Sequence, residues 1–138
     1  MKRKILCICF GNTCRSPMLQ ALLSRNLPRE KFEIESAGLA DRTGAPASAH
    51  AVECMQERGL DIISHRSREA SDLNLASYDH IYCVEEALSN QLVALGAPKE
   101  KIEVTEVSNP YGKDLETYRA CAETLSRIAE ALAAKLNQ

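Results

Sequence analysis

Residues 4–18 read KILCICFGNTCRSPM, and this stretch decides the fold. Its first part, residues 4–8, is short, apolar and partly β-branched, which is typical of a buried strand. Pro17 suits the first turn of a helix, where the N–H group that proline lacks has no partner, and apolar residues follow it at helical spacing. The stretch therefore predicts a strand, a tight turn and a helix.

The turn carries a cysteine and an arginine, Cys9 and Arg15, and we call residues 9–16 the nucleophile loop. Gly11 permits a positive φ angle, and Asn12 tolerates one better than most residues. Backbone N–H groups in such a turn, at the start of a helix, bind anions. A cysteine reacts as its thiolate, and a guanidinium holds two phosphate oxygens at once. The loop therefore predicts a phosphate group held above the sulfur of Cys9.

The same spacing recurs at Cys121 and Arg127, inside a long helical pattern without glycine. Backbone amides there are consumed by the hydrogen bonds of the helix. This second pair is therefore not expected to bind an anion. The Cys-x5-Arg spacing predicts an anion site only in the strand-to-helix turn, where backbone amides are free.

Strand and helix patterns alternate along the rest of the chain. The predicted strands are residues 4–8, 31–35, 78–84 and 102–107, and the predicted helices are residues 17–27, 47–58, 86–95 and 115–136. Such alternation favours a three-layer α/β fold, in which helices cover both faces of a four-stranded parallel sheet. We expect one domain, residues 1–138, with its ligand at the carboxyl ends of the strands, where Cys9 lies.

The nucleophile loop and three later segments, in the same order, resemble the low-molecular-weight protein tyrosine phosphatase family. The segments are Glu35-Ser36-Ala37-Gly38, then Gly59-Leu60-Asp61 with His65-Arg66-Ser67-Arg68, and last Asn109-Pro110-Tyr111-Gly112-Lys113-Asp114. The likeness spans nearly the whole chain. It implies hydrolysis of protein phosphotyrosine through a phosphocysteine intermediate on Cys9.

The resemblance also implies roles for single residues. Ser16 donates a hydrogen bond to the sulfur of Cys9, although it also suits a helix N-cap, and Asn12 holds the loop in shape. Cys14 either forms a protective disulfide with Cys9 or packs against the sheet. Tyr111 forms a wall beside an aromatic substrate. The remaining predicted phosphate-binding residues are Phe10, Gly11, Thr13 and Cys14 of the loop.

One position departs from the family pattern. The general acid of the family is an aspartate directly before Pro-Tyr, and this chain has Asn109 there. An amide forms hydrogen bonds but cannot donate or accept the catalytic proton, so phosphate binding is expected with reduced turnover. Asp114, Asp79 and Glu106 are the alternative acids, although Asp114 better suits the N-cap of the last helix.

Three alternatives to phosphotyrosine hydrolysis stay open. Thr13 matches the threonine that the protein-arginine phosphatases of the family have at this position, which implies hydrolysis of phosphoarginine. Asn109 allows a catalytically impaired phosphate-binding module. Arsenate reduction is a weaker alternative, because Cys83 has no second cysteine close behind it.

Composition narrows the remaining classes. A net charge of −2 gives no case for nucleic acid or an anionic membrane, and no apolar run reaches membrane-spanning length. Six cysteines, mostly inside apolar patterns, favour free thiols in a cytoplasmic protein. Metal-ligand spacings are absent, so no metal or other cofactor is predicted. The expected partners are a phosphorylated protein or a small phosphomonoester, with inorganic phosphate as product or inhibitor.

Overall fold

Four short strands form one parallel sheet in the computed structural model, which describes residues 1–138. Their bounds are β1 Arg3–Ile8, β2 Phe32–Ala37, β3 His80–Cys83 and β4 Ile102–Val104. They lie in the order β2-β1-β3-β4, and every neighbouring pair is parallel. The predicted four-stranded parallel sheet is therefore confirmed.

Four α-helices cover the two faces of this sheet. Their bounds are α1 Arg15–Asn26, α2 Ala49–Glu57, α3 Glu86–Ala94 and α4 Leu115–Leu136. Helices α1, α2 and α4 contact one another on one face, and α3 packs on β3 and β4. Single 3-10 turns lie at Ala70–Asp72, Leu75–Ser77 and Lys99–Lys101.

The side chains of β1 alternate between the two faces. Ile5 and Cys7 belong to the larger core cluster, which α1, α2 and α4 complete. Leu6 and Ile8 belong to a second cluster, together with Leu92 of α3. All four β1 residues are completely buried, as expected for a strand that has helices on both sides.

Two predicted boundaries are wrong by a few residues at the site. Helix α1 begins at Arg15, two residues before Pro17, because Met18 N already donates to Cys14 O at 3.2 Å. Strand β4 ends at Val104, although the chain still follows β3, and Val107 N donates to Val84 O at 3.0 Å. This continuation brings the carbonyl group of Val107 to the site.

All four strands end at the same edge of the sheet, because they are parallel. Gly38 follows β2, Cys9 follows β1, Glu85 lies just beyond β3, and Val107 lies beyond β4. Each of these residues contacts or belongs to the nucleophile loop. The expected site at the carboxyl edge is therefore built from every strand.

Candidate active site

The sulfur of Cys9 lies at the base of the nucleophile loop and is almost completely buried. Cys9 Sγ is 3.0 Å from Ser16 Oγ, and Asn12 N donates to it at 3.2 Å. Two donors directed at one sulfur stabilise a negative charge there. Ser16 lies inside α1, where Cys14 takes the N-cap position, so the alternative of Ser16 as helix N-cap is wrong.

Asn12 holds the loop through its side chain. It is fully buried with a φ angle of 54°, and its Nδ2 donates to Ser16 Oγ at 2.7 Å and to Ser36 Oγ at 3.0 Å. Its Oδ1 accepts from Arg68 N at 2.9 Å. Because Ser16 Oγ accepts from Asn12, the hydroxyl proton of Ser16 is left to point at the sulfur of Cys9.

The segment His65-Arg66-Ser67-Arg68 bonds to the nucleophile loop at Asn12. His65 Nε2 donates to Asn12 O at 2.7 Å, and the pKa of His65 is lowered, chiefly because burial disfavours the imidazolium. Arg68 donates to Glu35 Oε1 at 2.8 Å and to Ser36 O. Arg68 therefore ties this segment to β2, although its side chain is 43% exposed.

Gly38, beside the loop, requires glycine, whereas Gly11, within the loop, does not. A Cβ on Gly38 would lie 2.8 Å from Phe10 O and 3.0 Å from Asn12 N, so only glycine lets β2 end this close to the loop. Gly11 does not have the positive φ angle that the sequence suggests, and that conformation falls on Asn12 alone. A Cβ on Gly11 would make only ordinary contacts, one of them with Arg42.

Arg15 is buried and held by two partners, with 1% of the residue exposed. Its NH1 donates to Val107 O at 2.7 Å, and its NH2 is 2.5 Å from Glu85 Oε1. Its Nε is buried without a partner. Buried donors are normally satisfied, so a free Nε on a fixed guanidinium is suited to bind an anionic ligand.

The backbone of the loop gives the same indication. The N–H groups of Gly11, Thr13 and Cys14 have no acceptor within the protein. Clustered unpaired amides beside the N-terminus of α1 form a positive concavity. Together with Arg15, they are suited to a tetrahedral oxyanion.

This concavity opens into a cavity of about 170 Å³. The residues that line it are Cys9, Phe10, Gly11, Thr13, Cys14, Arg15, Arg42, Asn109 and Tyr111. Eight of these nine are predicted site residues, which the structure brings together. A larger groove, of about 520 Å³, lies between α1 and residues 60–65 and contains none of them.

No carboxylate lines the cavity. Asn109 stands at its edge, and Asn109 Oδ1 accepts from Tyr111 N at 3.1 Å, which leaves Nδ2 available.

The alternative acids form hydrogen bonds elsewhere. Asp114 Oδ1 accepts from Thr117 N at 2.9 Å, as the predicted N-cap of α4. Asp79 binds Lys4 N near the opposite end of β1.

Glu106, the third alternative acid, accepts from Glu86 N at 2.5 Å and lines a neighbouring cavity with Asn109. It does not line the cavity that contains Cys9. The expectation that one of these carboxylates replaces the missing acid therefore has no support in their positions.

Arg42 is the cavity-lining residue that the sequence analysis missed. Its guanidinium carbon lies 5.1 Å from the ring centroid of Tyr111, which is 55% exposed at the mouth of the cavity. Arg42 lies in an irregular segment between β2 and α2, and no motif surrounds it. Only its position in the folded chain identifies it.

All six cysteines are free thiols. Cys14 Sγ is 3.3 Å from Ser48 Oγ and 3.2 Å from Tyr118 OH, and burial together with this contact raises the pKa of Tyr118 to about 12. Cys83 and Cys121 lie outside the cavity, where burial raises their pKa values to about 11 and about 12. Cys14 packs in the core beside the nucleophile, and a disulfide with Cys9 stays a prediction.

The second Cys-x5-Arg pair lies inside α4, and Arg127 points outward to Glu123 at 3.1 Å. The predicted helical location of this pair is therefore confirmed. No group of three or more histidine, cysteine or acidic side chains is positioned to hold a metal ion. None of the helices has the length and apolar character needed to cross a membrane.

Comparisons with known proteins point to one family. The family model described as "Low molecular weight phosphotyrosine protein phosphatase" matches residues 4–138. The chain is 34% identical to the low molecular weight protein-tyrosine-phosphatase Wzb of Escherichia coli K12, over 99% of this chain and 97% of that protein. It is 31% identical to a protein-arginine-phosphatase of Geobacillus stearothermophilus, over 99% and 97% of the two chains. The structure of Wzb from Escherichia coli K30, in complex with sulphate, is 30% identical, covers 99% of both chains and superposes with a TM-score of 0.88.

Proposed function

The chain belongs to the low-molecular-weight protein tyrosine phosphatase family, and we propose that it removes phosphate from protein phosphotyrosine through a phosphocysteine intermediate on Cys9. The observation that carries this proposal is the geometry of the nucleophile loop. A buried sulfur receives two hydrogen bonds, while unpaired amides and the free Nε of Arg15 surround the space above it. The sulphate bound in the Escherichia coli K30 relative supports an oxyanion as the ligand of this fold.

The first chemical step is the attack of Cys9 Sγ on phosphorus. The S–P bond forms as the bond between phosphorus and the phenolic oxygen breaks, and the electron pair leaves with that oxygen. The fixed guanidinium of Arg15 and the loop amides bind the equatorial oxygens, where charge is concentrated in the transition state. In the second step the oxygen of water bonds to phosphorus as the S–P bond breaks, and the electron pair of that bond returns to Cys9 Sγ. The proton that the water loses passes to solvent, and the hydrogen bond from Ser16 stabilises the departing thiolate.

Asn109 changes the proton transfers of both steps. Its amide donates a hydrogen bond to the leaving oxygen, but it cannot protonate that oxygen or activate water. The phenol therefore leaves as phenolate. We propose that turnover is slow for this reason, whereas phosphate binding is intact because none of its donors comes from Asn109.

Phosphoarginine is the second candidate substrate, and Thr13 favours it. Thr13 is 7% exposed and lines the cavity beside the nucleophile. Its β-branched, hydroxyl-bearing side chain leaves a narrow, polar space that suits a planar guanidinium better than a phenol. The relative from Geobacillus stearothermophilus is named a protein-arginine-phosphatase. This candidate differs from the first in the leaving atom, which is nitrogen instead of oxygen.

Intermediate trapping tests the proposal. The protein is mixed with p-nitrophenyl phosphate, a phosphotyrosine peptide or a phosphoarginine peptide, quenched in acid and examined by mass spectrometry. We expect a phosphate adduct on Cys9 and slow release of inorganic phosphate, and neither in Cys9→Ala. Bound phosphate without any adduct or turnover would instead identify a phosphate-binding module and contradict the proposed enzyme function.

A further inference from the structure

We propose that Arg42 selects the substrate of this site by favouring an aromatic phosphate ester over N-phosphorylated arginine. The inference rests on the proposed function, because it concerns which phosphorylated side chain enters the same cavity. It addresses the choice that Thr13 and the relatives leave open.

The backbone at Arg42 is fixed in place. Arg42 N donates to Glu69 Oε1 at 2.8 Å, and Arg42 O accepts from the hydroxyl of Ser67. Gly44 N donates to Ser67 O at 2.9 Å, with a φ angle of 88° that suits glycine. These bonds tie the segment to the strip of chain that also supports the nucleophile loop, so the guanidinium starts from a defined position.

The side chain of Arg42 reaches the mouth of the cavity. Its guanidinium carbon lies 5.1 Å from the ring centroid of Tyr111, and its NH1 would be 3.7 Å from a Cβ on Gly11. The first distance is within the range of a cation–π contact. The guanidinium forms no ion pair and no hydrogen bond within the protein.

Arg42 gives the cavity an excess of positive charge. Its lining contains two arginines and no carboxylate. Arg15 is paired with Glu85 behind the loop, so the charge of Arg42 is the uncompensated one. A positive charge at the mouth attracts the phosphate group of either substrate.

The two substrates differ in the group that carries the phosphate. In phosphotyrosine this group is an aromatic ring, which has a face for the guanidinium of Arg42 and for the ring of Tyr111. In phosphoarginine it is a second guanidinium, which meets a like charge in Arg42 and no carboxylate to accept its N–H groups. Arg42 therefore opposes the preference that Thr13 suggests.

The test compares kcat/KM for two peptides that differ only in carrying phosphotyrosine or phosphoarginine. Phosphocysteine formation is followed under single-turnover conditions, because slow release then does not mask the first step. The variants are Arg42→Glu, Arg42→Lys and Arg42→Ala. Arg29→Glu is the matched control, because it makes the same charge change at an exposed residue outside the cavity.

We expect the natural chain to prefer phosphotyrosine and Arg42→Glu to lower the ratio of phosphotyrosine to phosphoarginine kcat/KM by about tenfold or more. Arg42→Ala should give a smaller decrease, whereas Arg42→Lys should retain most of the ratio. Circular dichroism confirms that each variant is folded, which we expect because the guanidinium bonds to nothing in the protein.

An equal ratio in Arg42→Glu, Arg42→Ala and Arg29→Glu would overturn the role of Arg42 and leave the proposed function standing. A natural chain that prefers phosphoarginine would do the same. If no substrate, p-nitrophenyl phosphate included, phosphorylated Cys9, the proposed function itself would fail, and this inference with it.

Discussion

The nucleophile loop and the 109–112 loop face each other across one cavity, but they are held in different ways. Asn12 and Arg15 are almost fully buried, and their side chains bond to residues from β2, from the segment after β3 and from residue 107. Across the cavity, Asn109 makes one local hydrogen bond to Tyr111 N, and Tyr111 is more than half exposed.

This difference separates two parts of the chemistry. Oxyanion binding belongs to a loop that the side chains of Asn12 and Arg15 also bond to the rest of the fold, so loss of either side chain would damage both. In the proposed mechanism, proton transfer depends on the exposed side chain at position 109, which can change from acid to amide without disturbing the sheet. In the proposed mechanism, the site therefore combines an intact binding half with a proton-transfer half that Asn109 alters.

Asn109→Asp is expected to have the largest effect on this contrast. A carboxyl group at position 109 can protonate the leaving oxygen, so kcat/KM for phenyl phosphates should rise about 10²–10⁴-fold. The gain should be greatest for the most basic leaving groups, since these depend most on protonation. Steady-state rates across a series of substituted phenyl phosphates measure it.

Asn109→Ala is the control for that substitution, because it removes the amide without adding an acid. We expect it to remain slow and to keep a steep dependence on the leaving group. Equal rates in Asn109→Asp and the natural chain would show that position 109 does not limit catalysis.

The second prediction acts on the binding half through Glu85→Gln. The variant leaves the charge of Arg15 buried without its counterion, and we expect a loss of about 2–3 kcal/mol in the free energy of unfolding. Inorganic phosphate should stabilise this variant, because the ligand supplies the missing negative charge. Urea unfolding with and without phosphate measures both effects.

Glu123→Gln is the matched control for Glu85→Gln. It disrupts the exposed pairs of Glu123 with Arg58 and Arg127, which solvent screens, so little or no loss in the free energy of unfolding is expected. Equal losses in the two variants would contradict a special role for the buried pair.

The third prediction compares one glycine from each side. A Cβ at Gly38 meets backbone atoms of the nucleophile loop, so Gly38→Ala should cost about 1–3 kcal/mol of stability and weaken phosphate binding. Gly112 has a φ angle of 78° and open space around it, so Gly112→Ala should cost about 1 kcal/mol and leave phosphate binding unchanged. Isothermal titration with phosphate separates the two, and weaker binding in Gly112→Ala would contradict the separation.

The sequence predicted the buried framework better than the mouth of the cavity. Apolar periodicity and the strand-to-helix turn located the four strands, Cys9 and Arg15, because burial and backbone geometry leave local patterns in the chain. Partners that come from distant segments leave none. Glu85, Val107 O and Arg42 reach the site only through the parallel sheet and the irregular segment after β2. The positive φ angle was placed at Gly11 and Asn12, and only the folded loop assigns it to Asn12.

The smallest predicted effect is a pH dependence that belongs to the binding half alone. The pKa of His65 is lowered in the folded protein, first by burial and also by the charges of Arg68 and Arg66, although the bond to Asn12 O opposes this. Unfolding restores the ordinary pKa, so the unfolded chain binds the extra proton more readily. The stabilising contribution is complete above about pH 6.5 and is lost as the pH falls through the lowered pKa.

His65→Gln keeps an N–H donor for Asn12 O but does not titrate, and it should therefore lose less stability than the natural chain between about pH 7 and pH 5. Urea midpoints at several pH values, with His80→Gln as a parallel variant away from the loop, give the difference that belongs to His65. Identical pH profiles for the natural chain and His65→Gln would show that this histidine supports the loop by shape alone. A pH-dependent difference would instead show that the stability of the oxyanion-binding half depends on the neutral form of the His65 imidazole. The 109–112 loop contains no histidine, so no such pH dependence is expected from it.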